Sequence, residues 1–449
     1  MNIATTSRTK RSKWLATSFL APGAAMLIAG FAGTAHADDA LPVGGTVAAG
    51  MASVSAGAAS VTVTQTSDRA VINWQGFSVG QGNSVRFDQP NAAAATLNRV
   101  TGSTGSSIAG QISSNGAVYL INPNGIAITA SGAVNTGGGF VASTLDIADV
   151  DFMAGKLVFA GKGASGRVQN AGTITAGQGA YVALLGGSVS NSGTIIVPAG
   201  RVGLGSGEQV TLDLNGNGFM QVAIPTGAIT GDAALIDNAG SISASGGTVL
   251  LKAATVKAAV RNVINMSGGI NADSALGNGG SIILLGGDGG TVTANGVLSA
   301  RATGASGDGG FVETSGAEVQ FSGLKVDTSA ANGKTGKWLV DPTDLTVDTA
   351  AATTIASNLA TSNVTLQTTA TTASGDGVQS AGSGDINVNA AISWGSANVL
   401  SLLAFNNVNL NAAISGASGG LTLSTGDGVA YTGTTSASSA VDIGIFNLT

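Results

Sequence analysis

The chain has 449 residues, with 70 glycines, 7 prolines, no cysteine, 9% charged residues and a formal net charge of −6. Gly at about twice its usual share and charge at about a third of it, together with 43% hydrophobic residues, exclude a disordered chain, and the lack of a Gly-X-Y period excludes collagen. What remains is an all-β chain of many short Val/Ile/Thr/Ala/Ser-rich strands punctuated by Gly, which a solenoid of parallel strands fits best.

Residues 1–37 read as a signal peptide. Arg8, Lys10, Arg11 and Lys13 form a basic start, and Trp14 to Ala35 carries no charge. Ala35-His36-Ala37 is a small-x-small cleavage site before Asp38. The uncharged run is long enough to span a membrane, but Pro22-Gly23 and Gly30 interrupt it and no basic stop-transfer cluster follows. Cleavage removes 4 of the 18 basic residues, none of the 24 acidic ones and the only histidine, His36, leaving 14 − 24 = −10. A chain this acidic, with scattered basic residues, is a poor partner for nucleic acid or an anionic membrane. The absence of cysteine fits passage of an unfolded chain through a narrow pore, and equally a solenoid that needs no staples.

From Ala40 to Ser60, Gly, Ala, Ser and Val show little periodicity and read as a cap over the first coil, whose strand edge would otherwise be open. Val61 to Asn73 alternates like strands, and Trp74 and Phe77 are expected to pack in the core at the capped end. Gly116 to Ile128 places the turn Asn122-Pro123-Asn124-Gly125 between two apolar strands. Pro presets the first central position, Asn suits the second, and Gly accepts the strained exit.

This turn follows Arg69 to Gly80, Asn83 to Asn91, Thr96 to Val100 and Ile108 to Ile112 in an order that resembles the secretion domain of filamentous-haemagglutinin-like proteins. These are the exported members of bacterial two-partner secretion systems. The resemblance is dense from about Val61 to Glu208 and thinner to about Gly290. It implies a secretion domain over 38–290, a β-helical passenger beginning at 291–449, and a secretion motif at Asn122, Pro123, Asn124, Gly125 and Ile126. The family's earlier Asn-Pro-Asn-Leu element is met only in part, by Gln89, Pro90, Asn91 and Ala92, which stand as an incomplete second motif. The implied partner is an outer-membrane β-barrel transporter with periplasmic binding domains.

Further on, Asn170-Ala-Gly-Thr-Ile and Asn191-Ser-Gly-Thr-Ile start 21 residues apart, and the unit recurs at Asn238 and, more weakly, at Asn295. Asn389-Ala-Ala-Ile-Ser and Asn411-Ala-Ala-Ile-Ser are 22 apart. A turn of a three-sided coil needs roughly 20 residues. The expected fold is therefore a right-handed parallel β-helix with an N-terminal cap, near 20 coils in about 90 Å, with stacked Asn ladders. Leu145 to Gly166 and Leu214 to Ala233 break the period and read as hairpins or loops leaving the rod. Gly309 to Gly316 and Gly336 to Leu345 also resemble stretches that follow the secretion domain in this family. Beyond Ala350 the pattern loosens until Asp385.

No catalytic, cofactor or metal site is expected. Without His or Cys the mature chain offers no His-based triad, thiolate or common zinc site. Gly286-Gly-Asp-Gly-Gly290 and Gly307-Asp-Gly-Gly310 read as Gly-rich corners, not calcium-binding arrays. Asp146, Asp149 and Asp151, the densest acidic group, read as a solvated loop. The expected function is a secreted surface adhesin with an unread host or neighbouring-cell ligand. A cytolysin or contact-dependent toxin on the same secretion domain, haem or metal capture, and a β-helical carbohydrate-active enzyme are the alternatives. The chain ends at Thr449 in mid-pattern, as expected of a truncated passenger.

Overall fold

The structure is a computed structural model that describes residues 40–214, 216, 218–226, 234–255, 262–368, 383–426, 435–437 and 441–448. The signal peptide and its cleavage site at Ala35, Ala37 and Asp38 lie outside the described residues, as does part of the second insertion.

Among the described residues, three sheets, parallel except for the amino-terminal strands of two of them, form the three faces of a β-helix: a main sheet of sixteen strands, a second of eight and a third of eleven. One coil runs from the main sheet (Ala117–Ile121) through the second (Ile126–Ile128) and third (Ala133–Thr136) and back to the main sheet (Phe140–Ser143). Alternate side chains point into the bore and stack like on like. In the main sheet Val118, Phe140, Val182, Val202, Val249 and Ile282 lie in one register row, all fully buried. The third sheet repeats this with Val134, Ile174, Ile195, Ile242 and Ile270.

The Asn-x-Gly repeat now has a physical reason. Buried Asn170 donates to the Asn191 Oδ1 at 2.8 Å, and Asn191 to the Asn238 Oδ1 at 2.7 Å. The ladder ends where Met266 replaces the next Asn. Two residues on, Gly172, Gly193, Gly240, Gly268 and Gly296 form a column at the corner. A Cβ on each would sit 2.1–2.2 Å from the carbonyl oxygen of the glycine one coil below. Backbones approach this closely only without side chains, so corner packing accounts for much of the Gly excess.

At the amino end Thr46–Ala49 and Ala52–Ala56 turn back and pair antiparallel with the first main and third strands, which makes the expected cap. Trp74 and Phe77 pack beneath it edge to face, with ring centroids 5.5 Å apart.

Two expectations are corrected. Coil length is not uniform: Val182 to Val202 takes 20 residues, but Val202 to Val249 takes 47. Fourteen of the sixteen main-sheet strands succeed one another in parallel, which at about 4.8 Å per strand spans about 60 Å, not 90 Å. The loosened stretch after Ala350 is also not irregular throughout, because Thr349–Asn358 forms a helix, α2, capped by Asp348. Its polar residues, with Ser362 just beyond its end, complete the last edge of the third sheet. The Thr354 Oγ1 accepts from Gly323 N at 3.0 Å, the Asn358 Oδ1 accepts from Val326 N at 2.8 Å, and the Ser362 Oγ accepts from Thr328 N at 3.1 Å. Asn358 Nδ2 also donates to Leu324 O at 2.9 Å.

The insertions leave the rod, as expected, but they form one unit. Leu157–Ala160 from the first pairs antiparallel with Gln209–Leu212, which pairs with Met220–Ile224. This layer starts at Gln209, ahead of the expected Leu214. With a short helix, α1 (Asp149–Met153), it covers the outer face of the main sheet. Tyr119, Ile121, Val141, Ala183 and Leu185 thus become buried against Phe152, Phe159, Leu212 and Met220.

The ladder gives a direct test. Asn191→Leu leaves Asn170 without its buried acceptor, and its cost is expected at about 1–3 kcal/mol. Urea unfolding of the wild type and the variant measures it.

Candidate secretion-recognition site

Asn122 to Ile126 form the corner between the main and second sheets. The turn is closed by Gly125 N donating to Asn122 O at 3.1 Å, and Gly125 exits at a φ of +116°. Pro123 and Asn124 occupy the central positions, as the sequence predicts. The Asn122 side chain is fully buried and fully used. Its Nδ2 donates to Thr104 O at 3.0 Å and to Ser106 Oγ at 2.9 Å. Its Oδ1 accepts from the backbone and side-chain nitrogens of Asn124, each at 3.0 Å. Asn124 Nδ2 reaches Gly102 O at 2.9 Å. Asn122 N donates to Ser143 O at 2.9 Å in the coil above, and Ser106 N to Gly125 O at 2.9 Å from the coil below. Ile126 is buried in the bore. The corner is therefore pinned to coils on both sides and turns the side chains of Pro123 and Asn124 to solvent, with Gly125 half-exposed beside them.

Gln89, Pro90 and Asn91 form a different corner, between the third and main sheets, one coil earlier. Gln89 is buried. Its Nε2 donates to Thr96 Oγ1 at 2.9 Å and Ala117 O at 3.0 Å, and its Oε1 accepts from Gly116 N at 2.9 Å. The Asn91 Oδ1 accepts from Ala93 N at 2.9 Å. The two motifs are not joined in one patch. They hold opposite ends of the strand Ala117–Ile121, Gln89 at its start and Asn122 at its finish.

The acidic group is corrected. Asp146 and Asp149 do not form a free solvated loop: Arg99 donates to the Asp146 Oδ1 at 2.8 Å and the Asp149 Oδ1 at 2.5 Å, and also reaches Ile147 O. This clamp ties the outer layer to the main sheet, to one side of the corner strand. Glu208 joins the two insertions to each other, accepting from Ser165 Oγ at 2.6 Å, Ser165 N at 2.8 Å and Thr226 Oγ1 at 2.7 Å. Burial works to raise the Glu208 carboxyl, but the bonds from Ser165, Thr226 and Gly163 win and hold it below its ordinary value. Tyr119 and Tyr181 join their hydroxyls in a hydrogen bond. Burial pushes both phenols up, Tyr181 to about 12, so both stay protonated.

Sequence reasoning missed Arg99, Glu208 and the tyrosine pair. One signal was available: the unbroken apolar run Ala117-Val-Tyr-Leu-Ile121 marks a strand covered on both faces. The Gly307 to Gly310 stretch is a corner, with the Asp308 Oδ1 accepting from Lys334 N at 2.8 Å in the next coil.

Asn122→Ala removes a buried amide with four bonds and is expected to cost about 1–3 kcal/mol, whereas Asn124→Ala at the surface is expected to cost under about 1 kcal/mol. Chemical denaturation of the pair checks the order. The folded-state value of Glu208 lies below the unfolded one, so its stabilisation is complete above about pH 5 and is lost as the pH falls through the folded value. Glu208→Gln is therefore expected to lower the melting temperature at pH 7 and to flatten its decline between about pH 5 and pH 3.

Comparison with known proteins agrees with this architecture. The family described as the TPS secretion domain matches residues 36–300. A heme/hemopexin-binding protein of Haemophilus influenzae is 34% identical over 213 residues, which is 45% of this chain and 23% of the relative's length. Among solved structures, the HMW1 secretion domain from Haemophilus influenzae aligns with a TM-score of 0.64 and 25% identity, over 91% of this chain and all of that one. A filamentous hemagglutinin secretion domain aligns over 91% of this chain at 12% identity and a TM-score of 0.39. Exoproteins of this kind cross the periplasm and leave through a cognate outer-membrane transporter. With more than half of its length matched and a β-helix whose corners stack as described, this chain belongs to the TPS secretion domain family of two-partner secretion exoproteins.

Proposed function

We infer that the transporter reads two features of this chain: the corner Asn122 to Ile126 and the strand edges at the amino-terminal cap. The observation that carries the reading is the contrast within the corner. Asn122 is buried and fully bonded, while Pro123 and Asn124 are held outward on a fixed backbone. Such a corner is a rigid surface mark of two side chains. The strand Thr46–Ala49 ends the main sheet, and pairing through its outer edge uses backbone groups and tolerates varied partners. Gln89 serves as internal scaffolding for the corner strand rather than as a second contact.

The signal peptide over 1–37 takes the chain across the inner membrane, with cleavage before Asp38. The coils then form outside, each adding to its neighbour. The exported body acts as a surface adhesin. Capture of a haem-bearing partner is the second reading, favoured by the name of the Haemophilus influenzae relative, of whose length this chain spans 23%. The toxin and carbohydrate-enzyme readings have no comparable support. No enzymatic step is included, in keeping with a mature sequence that has neither His nor Cys.

Expression in a Gram-negative host with and without the cognate transporter tests the reading. The expected result is mature chain starting at Asp38 in the medium only when the transporter is present. Equal amounts in both cultures, or none in either with the transporter verified in the membrane, overturns it.

A further inference from the structure

The outer layer does not lie flat on the main sheet everywhere. Next to the tyrosine pair it leaves a cleft of about 590 Å3, within the range of small-molecule sites. The floor is a single register row on the outer face of the main sheet. Arg69 pairs with Ala95 and Ala95 with Ala117. Gly139 follows in the next coil, and Tyr181 lies over it so closely that a Cβ on Gly139 would meet the ring at 2.2 Å. Ala95 and Ala117 thus hollow the sheet between a guanidinium and a phenol whose ring covers Gly139. Leu157 and Leu212 of the outer layer form the apolar roof.

Arg69 is the anomaly. Its Nη1 is buried and has no hydrogen-bond partner among the described residues. None of the ion pairs among those residues involves Arg69. Its guanidinium lies over the Phe152 ring, 5.2 Å from the centroid. Arg201, which follows Tyr181 in the same row, is different: its Nη1 donates to the carbonyls of Asp213, Leu214 and Gly216. A buried guanidinium donor without an acceptor is costly, and a planar fork fits a carboxylate best. The tyrosines add a second donor. Two protonated hydroxyls share one hydrogen bond, so one of their two protons remains to donate.

We propose that this cleft binds a small organic carboxylate, with the carboxylate on Arg69 and Tyr181 and an apolar body over Ala95 and Ala117 beneath Leu157 and Leu212. The site is separate from the secretion corner and does not depend on its reading.

The test is isothermal titration calorimetry on the mature full chain. The probes are 2-naphthoate and octanoate, each with its neutral amide. At least one acid is expected to bind about tenfold or more tightly than its amide. A flat body favours 2-naphthoate and a chain-like body favours octanoate. Arg69→Gln is expected to erase the preference for the acid. Ala117→Leu, which fills the floor away from the charge, is expected to weaken the acid about tenfold and decides the matter if Arg69→Gln fails to fold. Equal binding of acid and amide, no binding of either acid, an unchanged preference in folded Arg69→Gln, or unchanged affinity in Ala117→Leu overturns the proposal.

Discussion

Every coil of this chain borrows its backbone hydrogen bonds from the coils on either side. Among the described coils no strand pairs within its own turn, so N–H and C=O groups on all three faces point along the axis and depend on a neighbour being present. Corners must therefore bring backbones into near contact, which the glycine columns permit. Sheet edges must be closed by something other than another coil. At the amino end the chain folds back antiparallel on itself. At the end of the third sheet a helix takes over, and Thr354, Asn358 and Ser362 supply from side chains what a strand would supply from backbone.

The same dependence shapes the corner from Asn122 to Ile126. Asn122 is bonded to the coil below through its side chain and to the coil above through its backbone. The bonds from Gly125 N to Asn122 O and from Asn124 to the Asn122 Oδ1 lie within the turn, and the neighbouring coils lock that turn in place. The finished turn presents the side chains of Pro123 and Asn124 to solvent, with Gly125 half-exposed beside them. The outer layer adds a further constraint. By burying Tyr119 and Ile121 it covers the outer face of the corner strand, Arg99 ties that layer to the main sheet, and Glu208 holds its two insertions together.

Much of this was legible in the chain itself. The Asn-x-Gly spacing of Asn170 and Asn191 carries both the coil length and the ladder, because a ladder requires one Asn per coil in the same register. The turn at Asn122 was readable because Pro, Asn and Gly each have one conformational reason to be there. The outer layer was not. Its strands pair antiparallel across more than 40 residues, Phe159 with Val210, and no local pattern reports such a pairing. Arg99 and its two aspartates lie 47 and 50 residues apart, so spacing offered no hint of the clamp. Helix α2 was hidden by the very residues that make it useful. Its Thr, Ser and Asn side chains resemble loosened repeat sequence, yet they are there to bond a sheet edge.

Hydrogen exchange on the mature chain, alone and with the purified periplasmic domains of its transporter, tests the central claim most directly. The account predicts added protection in two places, residues 122–126 and the cap strands Thr46–Ala49 and Ala52–Ala56, with the bore unchanged. Added protection confined to other coils, with those two segments unaffected, would contradict it.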